Sequence, residues 1–401
     1  MREVSLKEIK RLPWEFEYAK NQTYEMCVEA IKRQGLLLKY AKLNELNLTK
    51  EQIYNLYLIA VKQNGEALKY IEEQTEELCL IAVKQDGNAL KHVKIDRLSK
   101  EQVNKIHFEA VSNFGGALEY IENQTPELCL IAIKNYGNSL KYVNWNILSE
   151  EQAYKLYIEA VKENGLALYH VKNQTLEICT EAVKRDGIAL MSVKWGEFLK
   201  EQSYAICIEA VKRDGMALNF VKWDEFSKEQ TYELCLIAVR GNGFALQFVK
   251  EQTEELCLEA VRQDGMALRY VDKQTPALCI EAIRQNGSAL EYIEWHMLSE
   301  VQIDKICREA LKQDRHLIRY IIDKEKYLEE FDIKYLKKQG RVREVIAIKE
   351  NGKWLFTIGC QYKITKETFI DRIYNEGRGF DLEKGINVHR QVYVDFLKEF
   401  E

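Results

Sequence analysis

Proline is nearly missing, with three residues in 401. A chain so poor in the residue that breaks helices is free to be helical over most of its length. Long apolar runs are missing too, and the longest fall far short of the ~18 residues of a membrane-spanning helix. No membrane partner is therefore expected. The opening Met1-Arg2-Glu3-Val4-Ser5 has no apolar segment, so no secretory leader is expected. A strong charge of one sign is also absent. With 58 basic and 63 acidic residues the net charge is -5, which excludes a general nucleic-acid coat but leaves room for a local basic stripe. There is no P-loop, H-E-x-x-H, G-x-S-x-G or Asp-rich metal loop, and no C-x-x-C or H-x-x-x-H pair. No metal and no cofactor are expected, and the chain reads as a non-enzyme. Hydrophobic residues make up 46% and charged residues 30%, enough to fold, and the length allows two or three domains of about 150 residues.

What is present is a repeat. Glycines recur at Gly35, Gly65, Gly87, Gly115, Gly137, Gly165, Gly187, Gly215, Gly243, Gly265 and Gly287, and Arg315 takes the place in a twelfth repeat. The spacing is mostly 22 or 28 residues. Five residues before this position stands alanine in all twelve repeats, Ala30 to Ala310, and thirteen before stands glutamine, Gln22 to Gln302. Three after stands leucine, Leu38 to Leu290, then Ile318. Short and long repeats alternate up to the eighth and then run long, long, short, short, long.

Each repeat reads as two short helices. In Thr75 to Val93, Thr75 caps the first helix, Glu76 and Glu77 suit the positive end of its dipole, and Lys84 suits the last turn. Gly87 is expected to stop it in the left-handed conformation. A second helix of under two turns follows. Long repeats start about one turn earlier with a capping box: Thr49 with Gln52, Ser99 with Gln102, Ser149 with Gln152, Ser299 with Gln302. Leu199 breaks that pattern in the eighth repeat. The apolar positions spread over roughly 200° of the first helix, so neighbours are needed on two sides. A pair this small cannot bury its own core, and the stack is the folding unit. The expected fold is mainly α: an α-solenoid of about twelve 22/28-residue helix-turn-helix repeats with a small C-terminal α+β module.

Nine of the ten cysteines fall eight residues before the glycine, from Cys27 to Cys307, with Tyr57, His107 and Tyr157 in the other three repeats. They read as small buried hydrophobes. Disulfides along the stack are excluded, since neighbouring helices lie about 9 Å apart and a bridge needs Cα atoms within about 7 Å. A buried thiol-rich core points to a reducing, cytoplasmic setting.

Residues 1–21 look like a degenerate N-terminal cap, with Ser5 and Glu8 as a capping box, and the solenoid runs over 22–323. A helical linker is expected over 324–340. In 341–401 the grammar changes to a β-hairpin plus two helices. Val342–Glu350 and Lys353–Ile358 are joined by Asn351-Gly352, a strong hairpin signal. A helix from about Thr365 to Asn375, a loop with Gly377, Gly379 and Gly385, and a last helix capped by Asn387 complete it. At about 60 residues it is expected to dock on the last repeats.

The candidate site is a basic ladder three residues before the glycine: Lys32, Lys62, Lys84, Lys134, Lys162, Lys184, Lys212, Arg240, Arg262, Arg284 and Lys312. A phosphate backbone or an acidic protein could follow such a line. Against this, cations complement helix C-termini, and glutamates such as Glu159, Glu181, Glu209 and Glu259 pair with them at i,i+3. Trp145, Trp195, Trp223 and Trp295 open the insert of the long repeats. They read as staples, or, if exposed, as binding anchors, with Trp195 and Trp223 as the candidates. Nine repeats carry Tyr or Phe five residues after the glycine, an array for base stacking or, more simply, for packing. Cys360 and His389 are the sole basis for an enzyme.

The pattern L-C-x-x-A-V-x-x-D-G-x-A-L-x-Y-V, as in Leu256 to Val271, resembles the repeat called domain of unknown function 4116, found in bacteria, protists and their viruses. The likeness covers about residues 22–321 and departs at Tyr57, His107, Tyr157 and Arg315. It implies a helical-repeat fold and transfers no catalytic residue. The expected function is a scaffold, more readily a monomer than an oligomer, that binds a protein partner. The alternatives are nucleic-acid binding along the ladder, or a phage- or mobile-element-encoded inhibitor that binds a host defence complex.

Overall fold

The computed structural model describes residues 1–375, 380–381, 385–386 and 388–400. The chain divides into two compact units, Met1–Leu234 and Cys235–Glu401, and the division falls inside the helix Lys228–Gly241.

In both units the repeat is an α-helix followed by a 3-10 helix. The third repeat shows why. The Thr75 hydroxyl accepts the Leu78 amide at 3.3 Å and starts the helix Glu76–Gln85. Asp86 then turns extended, at φ -149 and ψ 112, and its carboxylate accepts the Asn88 amide at 2.9 Å. That bond starts the 3-10 helix Gly87–His92. The small polar residue before the glycine is thus a second N-cap, used again at Asn64, Asn164, Asp186, Asp264 and Asn286. Short repeats have ten-residue helices, and long repeats such as Lys100–Asn113 have fourteen.

The glycine does not act as expected. Its backbone is not left-handed. Among the described residues, positive-φ glycines occur only at Gly340, Gly352 and Gly359. Its place is fixed by the next repeat. A Cβ on Gly65 would lie 2.4 Å from the Ala82 carbonyl oxygen, and one on Gly265 would lie 2.3 Å from that of Ala282. Glycine and the alanine five residues before the next glycine are therefore two sides of one contact, backbone against backbone. The next repeat also supplies a polar clasp. Gln63 accepts the Gly35 amide at 2.5 Å and donates to the Arg33 carbonyl at 3.2 Å. Gln263 and Gln285 accept the amides of Gly243 and Gly265, each at 2.6 Å.

The invariant glutamine has two jobs. In long repeats it completes the capping box, formed at Thr49, Ser99, Ser149 and Ser299 and also between Ser227 and Gln230. At Leu199 only half survives, the Leu199 amide donating to Gln202 at 2.9 Å. In short repeats the glutamine lies under the chain that leaves the 3-10 helix. Gln74 donates to the His92 carbonyl at 2.9 Å, accepts the Lys94 amide at 2.8 Å, and takes a weak bond from the Cys79 thiol at 3.7 Å. Gln124, Gln174 and Gln274 repeat the pattern.

The N-terminal cap is a worn copy of the repeat. The Ser5–Glu8 capping box opens the helix Leu6–Arg11, a 3-10 helix Pro13–Tyr18 follows, and Ile9 and Phe16 are buried.

The C-terminal module differs from expectation in its sheet. The expected helical linker reduces to the single turn Glu325–Leu328, and the chain then enters strand β1, Ile333–Leu336. β1 pairs antiparallel with β2, Val345–Glu350, which pairs with β3, Lys353–Ile358, which pairs with β4, Gln361–Thr365. The hairpin at Asn351-Gly352 is as expected. Glu350 faces Lys353, and φ is 50 and 77 at the two turn residues, the signature of a type I′ turn. β2 is buried on both faces. Val345 and Ala347 join Phe356, Phe369 and Phe396 under the helices Lys366–Asn375 and Val388–Leu397. Ile346 and Ile348 join Cys307, Leu311, Ile318 and Tyr327 of the last repeat and the linker. The module therefore docks on the last repeat, as expected. The expected Gly377, Gly379 and Asn387 lie outside the described residues.

Candidate functional site

The basic ladder is a ribbon of ion pairs. Eight of its eleven cations lie within 4.0 Å of a glutamate while remaining 50–65% exposed. Lys184, Lys212, Arg262, Arg284 and Lys312 pair within their own helix at 3.1–3.8 Å. Lys84 reaches Glu109 of the next repeat at 3.9 Å, Lys134 reaches Glu159 at 4.0 Å, and Arg240 and Arg262 reach Glu259 and Glu281 at 2.6 and 3.4 Å. The two guanidiniums hold Glu259 below the usual carboxylate range, Arg240 through its hydrogen bond first. Exposed pairs of this kind contribute little each, and they cancel much of the field a polyanion would follow. Lys32, Lys62 and Lys162 carry no such pair among the described contacts.

The tryptophans open one-turn 3-10 helices at Trp145–Ile147, Trp195–Glu197, Trp223–Glu225 and Trp295–Met297. Trp195 is buried and Trp223 is half-buried. Trp145 lies against Tyr157 with ring centroids 4.7 Å apart. Trp195 therefore offers no exposed anchor, and burial in the insert is its evident use. The aromatics five after the glycine are mostly half-buried, and cations cover several, as Lys39 covers Tyr40 at 4.3 Å and Lys141 covers Tyr142 at 4.4 Å.

Those cations mark a row the sequence reading passed over, four residues after the glycine. Its side chains stand exposed on the 3-10 helices. In the N-terminal unit it runs Lys39, Lys69, Lys91, Glu119, Lys141, Tyr169, Met191 and Asn219. Residues three apart eclipse one another on a 3-10 helix, so the row shares a face with the position just after the glycine. Lys91 shows the link between neighbours, reaching Glu66 of the preceding repeat at 2.6 Å. By the same register Met191 falls beside Leu166. Tyr169 is 76% exposed and Met191 60%, a break in a row that is otherwise polar, and Leu166, 41% exposed in the adjoining row, extends the apolar patch. A break in a polar register is a visible signal, but it is weak while one does not know which rows face solvent.

The nine repeat cysteines are buried, and desolvation pushes their thiols up to about 11, or about 12 at Cys179 and Cys207. They are protonated and inert at neutral pH. Cys360 is exposed, and the side chain of His389 lies outside the described residues, so the pair is not assembled on anything described. A different histidine is engaged. His316 places Nδ1 2.9 Å from Asp314 Oδ1 and Nε2 2.9 Å from Thr357 Oγ1 on β3, and its ring lies on Tyr362. Burial opposes the charge of Asp314, but the amide and ring bonds from His316 prevail and hold its carboxyl low. Thr357 is buried and also takes the Lys363 amide at 3.3 Å. The line ties the sheet to the last repeat. Among the described residues no group of three His, Cys, Asp or Glu is set to hold a metal, and no helix is long and apolar enough to cross a membrane.

Paired helices stacked by a repeated close contact define a helical-repeat protein of the α-solenoid class. Two stretches, residues 54–98 and 253–298, match the family model described as "Domain of unknown function (DUF4116)", a repeat family without an assigned activity. No curated protein and no solved structure matches the chain.

Proposed function

We propose that the chain is a non-enzymatic scaffold in a reducing, cytoplasmic setting that binds a protein partner through the exposed face of its 3-10 helices. One observation carries the reading. Tyr169 and Met191 stand exposed on neighbouring repeats in a row that is otherwise polar, and the exposed Leu166 adjoins them. Exposed apolar clusters with a polar surround mark protein interaction sites. The same row is cationic toward the N-terminus, at Lys39, Lys69, Lys91 and Lys141. The partner that fits is an acidic segment with apolar anchors. Binding along the basic ladder is less well supported, because eight of its eleven cations are already paired.

The test is a tagged pull-down from nuclease-treated cytosol, comparing the full chain with Tyr169→Glu/Met191→Glu. A protein that survives nuclease and is lost from the double variant is the expected result. Partners that vanish with nuclease, or that the double variant retains, remove the proposal.

A further inference from the structure

The repeat supplies its own control for reading the surface, because each position is seen up to twelve times. Three exposed positions near the end of the array are apolar, and two of them break rows that are otherwise polar. Val301 is 80% exposed where other long repeats carry Glu51, Glu101, Glu151, Glu201 and Glu229. Ile322 is 76% exposed where every other repeat has a polar residue, six of them lysine. Met297 is 66% exposed where the other long repeats have Glu45, Arg97, Ile147, Glu197 and Glu225. All three lie within one repeat and its exit.

One of the three, Ile322, lines a cavity of about 340 Å³ together with Trp295, Ile303, Cys307 and Tyr327, among others, and Val301 is the chain neighbour of another lining residue, Glu300. In the sixth repeat the residue eight before the glycine is Tyr157, and its ring fills the space against Trp145. In the twelfth the corresponding pair is Trp295 and Cys307, a pairing shared with Trp195 and Cys207 and with Trp223 and Cys235, and here both residues line open space. Glu300 and Asp323 also line it, and neither is in an ion pair among the described residues. The one cation of the lining, Lys326, is held by Asp304 at 2.7 Å.

We infer that this cavity is a second docking site, which takes one large apolar side chain from a basic segment of a protein partner. The apolar walls receive the side chain, and Glu300 and Asp323 receive the lysines or arginines beside it. Complementary charge at a rim sets which segment is accepted, and a buried aromatic anchor supplies most of the affinity. The site belongs to the C-terminal unit and the proposed 3-10 face to the N-terminal unit, and each stands or falls independently of the other.

The probe is a fluorescein-labelled peptide, Gly-Lys-Lys-Trp-Lys-Lys-Gly, read by anisotropy on the full chain. Two comparison peptides replace the lysines by glutamate or the tryptophan by serine. The basic tryptophan peptide is expected to bind, with both comparison peptides at least about tenfold weaker. Ile322→Lys restores the residue most common in that row and so leaves the fold intact. It is expected to weaken binding about tenfold. Cys307→Tyr closes the cavity with the residue found at Tyr57 and Tyr157 and is expected to do the same, with circular dichroism to confirm its fold. Gly196→Ala, on a one-turn helix of the N-terminal unit, is expected to leave binding of this peptide unchanged. No binding, equal binding of the glutamate peptide, or binding unchanged in Ile322→Lys overturns the inference. So does self-association of the full chain by light scattering that Ile322→Lys abolishes, since the occupant would then be a second copy.

Discussion

Gly165→Ala tests why the glycine is there. A Cβ at this position would lie 2.4 Å from the Ala182 carbonyl oxygen, 2.8 Å from Asp186 Cβ and 3.1 Å from the Asp186 amide nitrogen. A carbon–oxygen contact relaxes at about 3.3 Å, so the two repeats must part by roughly 1 Å. The carbonyl cannot swing aside, because it holds the Asp186 amide at 2.9 Å at the end of the helix Leu176–Arg185. Overpacking a rigid interior costs about 1–3 kcal/mol and occasionally more. A wall of backbone places this case near the top, at about 3 kcal/mol. The assay is urea unfolding of the full chain followed by far-ultraviolet circular dichroism, where the loss reads as a lower midpoint at unchanged slope. Gly196→Ala is the control, since a Cβ there has nothing within 4 Å, and its expected change is within about 0.5 kcal/mol. Gly165→Asn separates the two causes. A left-handed position tolerates asparagine better than alanine, whereas a close approach penalises the larger residue at least as much. Gly165→Ala as stable as Gly196→Ala, or Gly165→Asn more stable than Gly165→Ala, refutes the reasoning.

Three further outcomes follow from the packing. A thiol reagent at neutral pH is expected to label only Cys360 in the native chain and all ten cysteines in denaturant; fast native labelling of more than one would contradict the burial of the repeat thiols. Gln74→Ala leaves the Lys94 amide and the His92 carbonyl without their partner in a buried place and is expected to cost about 1–3 kcal/mol. Gln102→Ala at the same register removes one side of a capping box on an exposed helix end and is expected to cost less, about 0.5–1 kcal/mol by urea unfolding. Equal costs would deny the two roles. Asp304 is held far below the usual carboxylate range by hydrogen bonds from Arg308 first, then Lys326 and Tyr327. A depressed native pKa contributes stability above the unfolded value near 4 that is lost as pH falls toward the native one. The melting temperature of the native chain is therefore expected to exceed that of Asp304→Asn by a constant margin from pH 7 to about 5, and the margin to close on acidification below about 4. A margin independent of pH would show that the carboxylate's charge is not what stabilises there.

The fold was legible wherever a physical requirement recurs at a fixed register. Thr75 and its equivalents cap, Cys79 and its equivalents are buried, and the alternation of ten- and fourteen-residue helices follows the spacing of the glycines. The short strands were not legible. Ile333–Leu336 sits in a run whose apolar spacing fits a helix as well as a strand, and only pairing with Val345–Glu350 decides it. Gln361–Thr365 has no core alternation to betray it. The candidate surfaces were half legible. The ladder Lys32 to Lys312 and its i,i+3 glutamates are plain in the sequence, but the pairs from Lys84 to Glu109, Lys134 to Glu159 and Arg240 to Glu259 cross between repeats and were not. Tyr169, Met191, Val301 and Ile322 were in plain view, yet nothing local says which rows face water.

The sequence by itself determined the repeat, its two lengths, its caps and its buried stripe, because these are short-range demands of helix ends and helix faces. Only the tertiary structure decided why the glycine, replaced only by Arg315, and the alanine recur, since the two meet across the boundary between repeats. The same holds for the glutamine, which caps a helix in one repeat and clasps a loop in the next. Contacts between residues some twenty positions apart exist only once the chain has stacked, and a pattern of single positions cannot say which other position each one is touching.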